Sequence, residues 1–198
     1  MRQCMALLLE RFQRQAGKSR LSGTSTVNRT ARGRKRTERT CVHLFDSRPT
    51  MSTNTVELHR VLRSTPDRLF RAFTTPGAYA KWLPPYGMFA TVHEMDGRVG
   101  GRYRMSFTNF TNGRSETFGG EYLELEPGKR VRYTAEFDDP QLPGQMQTTV
   151  VMREIFCGVE VHIRQEGIPA QIPVELCYLG WQESLEQLAK LVEPDIKD

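Results

Sequence analysis

Val174-Glu175-Leu176-Cys177-Tyr178-Leu179-Gly180-Trp181-Gln182-Glu183-Ser184-Leu185-Glu186-Gln187-Leu188-Ala189-Lys190-Leu191-Val192 is the stretch that decides how this chain folds. Its residues Val174, Tyr178, Trp181, Leu185, Leu188 and Val192 fall four, three, four, three and four apart, which places them on one face of a helix. A single apolar face of this length needs a surface to cover it. A curved antiparallel sheet laid against it encloses a core, and a loosely filled lining turns that core into a pocket.

Strands with period-two patterning precede the helix. Tyr103, Met105 and Phe107 alternate with Arg102, Arg104 and Ser106. Val131, Tyr133, Ala135 and Phe137 alternate with Arg132, Thr134 and Glu136, and Val159, Val161 and Ile163 alternate with Glu160, His162 and Arg164. Each set has one dry and one wet face, the mark of an antiparallel sheet covered on one side. Gly97, Gly100-Gly101, Asn112-Gly113, Pro127-Gly128 and Pro143-Gly144 punctuate the strands as turns. Gly119-Gly120 interrupts a strand and predicts a bulge or bend, which a sheet needs in order to curl around a helix.

Further upstream, Val56–Arg63 reads as a strand. Ser64-Thr65-Pro66-Asp67 then opens a helix, because a hydroxyl residue before proline suits a first turn. Leu69, Phe70 and Phe73 give that helix its buried side, and Thr75-Pro76 breaks it. A second short helix carries Tyr79, Trp82 and Leu83 before Pro84-Pro85 stops it.

The net charge of +5 belongs to two unlike parts. Residues 1–50 carry 12 Lys/Arg against 3 Asp/Glu, and the remainder carries 16 against 20. The pI of about 9.2 is therefore set by the leader and gives no reason to assign nucleic-acid binding to the folded domain. Residues 1–52 read as a basic leader, too poor in apolar residues to offset the entropy of ordering it. Its Arg and Ser enrichment fits an organelle-targeting peptide, and its basic clusters fit a nucleic-acid or membrane tail. It also fits a segment without function, since Met51-Ser52-Thr53 would make an ordinary start. Cys4, Cys41, Cys157 and Cys177 show no CxxC spacing, so the last two read as small apolar residues in a reducing, cytoplasmic setting. No stretch approaches the roughly 20 apolar residues of a membrane span.

The order of pieces is that of the helix-grip fold, and several local strings sharpen the likeness. Phe70-Arg71-Ala72-Phe73-Thr74-Thr75-Pro76 followed by Lys81-Trp82 resembles the first helix pair of the START-like (SRPBCC) superfamily. Glu94-Met95-Asp96-Gly97-Arg98-Val99-Gly100-Gly101-Arg102-Tyr103 resembles a turn of the branch related to the activator of the heat-shock protein 90 ATPase. Gly119-Gly120-Glu121-Tyr122, Pro127-Gly128-Lys129-Arg130-Val131, Gln165-Glu166-Gly167-Ile168-Pro169 and Gly180-Trp181-Gln182-Glu183-Ser184 complete the set.

This resemblance implies an α+β, Bet v 1/START-like domain over residues 53–195. It has a curved antiparallel sheet wrapped around the long C-terminal helix, two short helices after the first strand, and a cavity between sheet and helix. Members of the wider superfamily bind lipids, sterols, polyketides or plant-type small molecules, and some catalyse cyclisations. The co-chaperone that gives the branch its name has a separate N-terminal domain that engages the chaperone, and no segment here resembles it.

The expected cavity lining is Trp82, Met88, Met95, Tyr103, Met105, Phe107, Phe118, Phe137, Met146, Met152, Trp181 and Leu185, with Glu166 as a polar group at the mouth. Met fills irregular space and aromatics give an apolar wall with a polar handle. The expected function is non-enzymatic binding of a small hydrophobic or amphipathic molecule. The alternatives are a stress-linked co-chaperone-like protein-binding module and a cyclase-like enzyme using Glu166, Tyr103 or Tyr133 as acid–base groups. Glu94, Asp96, Arg98 and Arg102 read as an ion-pair and turn network around Gly100-Gly101. His59, His93 and His162 are scattered in sequence, so no metal and no cofactor are expected. Ser184 has no GxSxG setting, and the glycines fit neither a P-loop nor a dinucleotide fingerprint.

Overall fold

The computed structural model describes residues 54–194; the expectations about the leader and about domain limits at 53 and 195 fall outside them. Strand β1 (Val56–Leu62) leads into two helices whose starts are set by proline. Helix α1 (Pro66–Thr74) has Pro66 in its first turn, and the Thr65 hydroxyl accepts the Arg68 N–H at 3.4 Å. Thr75 ends α1 and begins α2 (Pro76–Trp82).

Six strands follow: β2 (Met88–Met95), β3 (Arg102–Asn109), β4 (Ser115–Glu126), β5 (Arg130–Phe137), β6 (Gln145–Ile155) and β7 (Gly158–Glu166). They form one seven-stranded sheet in the order β1-β7-β6-β5-β4-β3-β2, antiparallel throughout. Each strand after β2 pairs with its predecessor, and β1 is placed beside the last strand. Helix α3 (Val174–Val192) then covers the inner face, burying Leu176, Trp181, Ser184, Leu185, Leu188 and Val192. The periodic stripe holds from Trp181 onward. Val174 and Tyr178 are only half-buried, and Leu176 takes the inward place in the first turns.

Curvature has a visible cause. A Cβ at Gly120 would sit 1.9 Å from the Thr134 carbonyl oxygen, and one at Gly119 would sit 2.6 Å from that of Tyr103. Neighbouring main chains approach more closely there than any side chain permits. The β4–β5 ladder shifts register between Tyr122 and Glu124, just beyond the glycines, and such a bulge bends its strand. The β2–β3 turn holds part of the expected network: Gly100 has φ +76°, Gly101 N–H donates to Arg98 O at 2.9 Å, and the Arg98 and Asp96 side chains pair at 2.6 Å, without Glu94 and Arg102.

The C-terminal half of α3 is pinned. Ser64 Oγ donates to Val192 O at 3.0 Å, Arg68 Nη2 donates to Pro194 O at 2.7 Å, and Arg63 N–H donates to Glu193 Oε1 at 3.2 Å. In the middle of the helix, Ser184 Oγ donates to Leu83 O at 2.6 Å, the Gln187 amide donates to Pro84 O, and Tyr86 N–H donates to Glu183 Oε2 at 2.9 Å. Cys157 and Cys177 are free thiols. Among the described residues no helix is long and apolar enough to cross a membrane.

Replacing Gly120 with Ala is expected to lower stability by about 3 kcal/mol, the upper end of ordinary overpacking. The added methyl meets a carbonyl oxygen rather than a movable side chain. Urea unfolding measures it as a lower midpoint at an unchanged slope.

Candidate functional site

Between the inner face of the sheet and the N-terminal half of α3 lies a cavity of about 230 Å³. It occupies one end of the domain. The first residues of β2, β4 and β6 and the last of β3, β5 and β7 meet there, because antiparallel pairing sets Phe107 opposite Glu116, Phe118 opposite Phe137 and Ala135 opposite Met146. Leu83 and Pro85 close it from the loop after α2, and Ile172, Leu176, Cys177, Gly180, Trp181 and Ser184 close it from the helix side.

Of the lining expected from sequence, Met88, Tyr103, Phe107, Phe118, Phe137, Met146 and Trp181 reach this cavity. The others do not. Trp82 is fully buried against Phe73 and Tyr79, at ring-centroid distances of 4.8 and 5.5 Å, and donates its indole N–H to Ala72 O at 2.8 Å. It locks α1 to α2. Met95, at the other end of β2 from Met88, and Met152, opposite Val161, lie away from the cavity. Leu185 belongs to the pinned half of α3, and Met105 is fully buried in the closed core.

Glu166 also lies outside the cavity, for a reason of parity. Val161 and Ile163 face inward, so the next inward residue is Gln165, and Glu166 turns out to pair with Arg164 at 2.8 Å. The same alternation, extended one step from Ile163, was the available signal for Gln165. Extended along β6 from Met146, it also finds Thr148.

These residues form a polar row across an apolar wall. Tyr133 is the register partner of Thr148, and Thr148 is the partner of Gln165. All three are buried and line the cavity. Gln165 Oε1 accepts the Trp181 indole N–H at 2.8 Å and the Cys177 thiol at 3.0 Å. An indole N–H can only donate, so the amide NH₂ points the other way. There it meets Met146 Sδ at 3.8 Å, a weak acceptor.

Tyr79 and Tyr103 also border the cavity, and the Tyr103 hydroxyl is committed to Thr134 O at 2.7 Å. Burial holds the Tyr79 and Tyr103 phenols well above their ordinary value. It also pushes Tyr133 up to about 12, with hydrogen bonds from Tyr79 and Thr148 acting in the opposite sense. Burial raises the Cys177 thiol to about 12. At neutral pH these four groups are uncharged donors or acceptors.

On the outer face, the structure brings together two of the histidines that are scattered in sequence. His59 and His162 are register partners across β1 and β7, and Glu160 lies beside both. These residues are about a hundred positions apart in sequence or alternate on one strand, so only the strand pairing reveals the group. His93 stays apart, 3.0 Å from Ser106 Oγ.

A curved antiparallel sheet gripping a C-terminal helix around a small apolar cavity defines the helix-grip, START-like class of protein. Within that class the chain belongs to the family described as activator of Hsp90 ATPase homolog 1-like protein, whose model matches residues 63–193. The crystal structure of a protein from Chromobacterium violaceum is 58% identical, with a TM-score of 0.71 over 72% of this chain and 99% of that one. A protein from Mesorhizobium loti is 26% identical, with a TM-score of 0.56 over 69% of this chain and 95% of that one. One from Rhodobacter sphaeroides, at 21% identity and a TM-score of 0.62 over 70% and 91%, shares the fold. No functionally curated protein matches the chain.

Two measurements follow from the buried protons. Iodoacetamide at pH 8 with peptide mapping is expected to modify the exposed Cys157 and to spare Cys177 until the protein is unfolded, because the thiolate is the nucleophile. Stability is expected to fall with rising pH in the alkaline range. Cys177 and Tyr133 titrate near about 12 when folded but at about 8.5 and 10 when unfolded. The folded state therefore holds more protons above those lower values. The contribution is complete below about pH 8.5 and is lost as pH rises toward 12, which urea midpoints at successive pH values would measure.

Proposed function

We propose that this domain is a non-enzymatic binder of a small, mostly apolar molecule bearing a hydrogen-bond acceptor, held between the sheet and the N-terminal half of α3. The observation that carries this reading is Gly180. A glycine inside a helix costs about 1 kcal/mol relative to alanine, and it is ordinarily accounted for by another segment passing close by. Here a Cβ at Gly180 would meet nothing within 4 Å, and the residue borders the cavity. The helix surface is left bare where a ligand would lie.

The chemistry of the wall supports few polar contacts on an otherwise apolar guest, at Gln165 and where the Glu116 carboxylate borders the cavity. Such a balance is typical of small-molecule sites. The Gln165 amide offers a donor whose present partner is only a thioether, so a carbonyl, ether or carboxylate oxygen would improve its pairing. The volume limits the guest. A cavity of about 150 Å³ already holds benzene, and 230 Å³ suits a one- or two-ring molecule or a short acyl chain. Uncharged phenols and an unactivated thiol favour holding such a molecule over transforming it, since proton transfer at neutral pH calls for a group poised near that pH, and Glu116 is the carboxylate that borders the cavity.

Native mass spectrometry of the full chain is expected to show a bound small molecule, and 2-naphthol is expected to change Trp181 fluorescence saturably. Gly180→Leu should abolish the 2-naphthol response while keeping or slightly raising the unfolding midpoint. Gln165→Leu should weaken binding about fivefold, the loss of one neutral hydrogen bond of about 1 kcal/mol. Undiminished 2-naphthol binding by a folded Gly180→Leu protein would sink the reading, as would a wild-type protein that holds neither occupant nor probe.

A further inference from the structure

We propose that His59, Glu160 and His162 form a binding site for a divalent transition cation of the zinc, copper or nickel type, bridging β1 to β7 on the outer face of the sheet. His59 and His162 stand directly opposite each other on the two strands, with imidazole centroids 4.5 Å apart and ring planes inclined by 41°. Glu160 projects from the same face of β7, two residues before His162. Its Oε1 lies 2.9 Å from His59 Nε2 and 3.7 Å from His162 Nε2. The three candidate ligand atoms all fall within 4.8 Å of one another.

A cation bound tetrahedrally at about 2.0–2.1 Å requires its ligand atoms to be roughly 3.3 Å apart. The Glu160–histidine distances bracket that value. The remaining separation, at most 4.8 Å, is closed by rotation of two imidazoles that are each about half exposed, at 50% and 55%. Two imidazoles and a carboxylate suit zinc, copper and nickel better than magnesium or calcium. The carboxylate is also oriented. Arg153 Nε and Nη2 both donate to Glu160 Oε2, at 2.8 and 2.5 Å, which leaves Oε1 facing the histidines. An outer partner that fixes a ligand in this way is a regular part of metal sites. Three protein ligands leave a tetrahedral ion one open position.

The site is independent of the cavity, because Leu58, Val161 and Ile163 alternate with its ligands and face the opposite side of the sheet. Its structural consequence falls on β1, an edge strand whose one neighbour is β7. A bridging cation would tie that edge down.

Calorimetric titration of the full chain with zinc chloride, in chelator-free buffer, tests the site. Zinc is expected to bind one to one at this cluster and to raise the unfolding temperature. His59→Ala/His162→Ala and, separately, Glu160→Gln should each weaken binding at least tenfold, whereas His93→Ala should leave it unchanged. Cobalt(II) distinguishes this cluster from the cysteines, because nitrogen and oxygen ligation gives d–d bands without a thiolate charge-transfer band. Undiminished zinc affinity in the double variant would overturn the proposal. So would a thiolate band as the main cobalt signal, or no zinc uptake by the wild-type protein. Unchanged 2-naphthol binding by the double variant is expected in either case, which keeps this test separate from that of the cavity.

Discussion

The uneven anchoring of α3 is the constraint on which the rest of the molecule depends: hydrogen bonds to main-chain carbonyls hold its middle and C-terminus, while its N-terminal half is tied to Gln165 across the cavity through Trp181 and Cys177. Ser64 and Arg68 hold its C-terminus, and Leu83 and Pro84 receive hydrogen bonds from its middle through Ser184 and Gln187. On the N-terminal side of Ser184 the helix faces the strand ends across open volume. Leu185, Leu188 and Val192 therefore fill a core, whereas Leu176, Gly180 and Trp181 on the same helix line a void. The sheet has to bend away for this to happen, and the close crossings at Gly119 and Gly120 permit that bend.

A void of this kind is stable only if its polar wall is satisfied without a guest. Buried amides and hydroxyls lacking partners would cost more than the surrounding apolar contacts return. The row Tyr133, Thr148 and Gln165 meets this condition internally. Tyr133 is hydrogen-bonded to Tyr79 and Thr148, and Gln165 takes the Trp181 and Cys177 protons on one oxygen. Only the amide NH₂ is left with a soft neighbour. Polar discrimination is therefore concentrated at this amide and at Glu116, the carboxylate that borders the cavity.

Much of this was legible in the sequence, and the failures follow a pattern. Helix periodicity after Pro173, strand alternation, the prolines at 66, 76, 84 and 85, and the paired glycines at 119 and 120 are local signals, and the structure follows them. The division of large apolar residues between core and cavity is different, because it depends on how far two elements stand apart. Trp82, Met105, Met152 and Leu185 look no less cavity-like in sequence than Phe118 or Trp181. Gln165 is within reach of the alternation of Val161 and Ile163, whereas Glu166, at the strand end beside Gly167, falls one step further along and so on the outer face. The grouping of His59 with His162 was beyond reach, since it exists only through the register of the first strand against the last.

The bare helix face at residue 180 sets two physical demands against each other. Alanine or leucine placed there would strengthen the helix and shrink the space beneath it. A larger residue at this position would raise helix propensity and reduce the volume beside Trp181 at once, so stability and open space are set against each other at this one position.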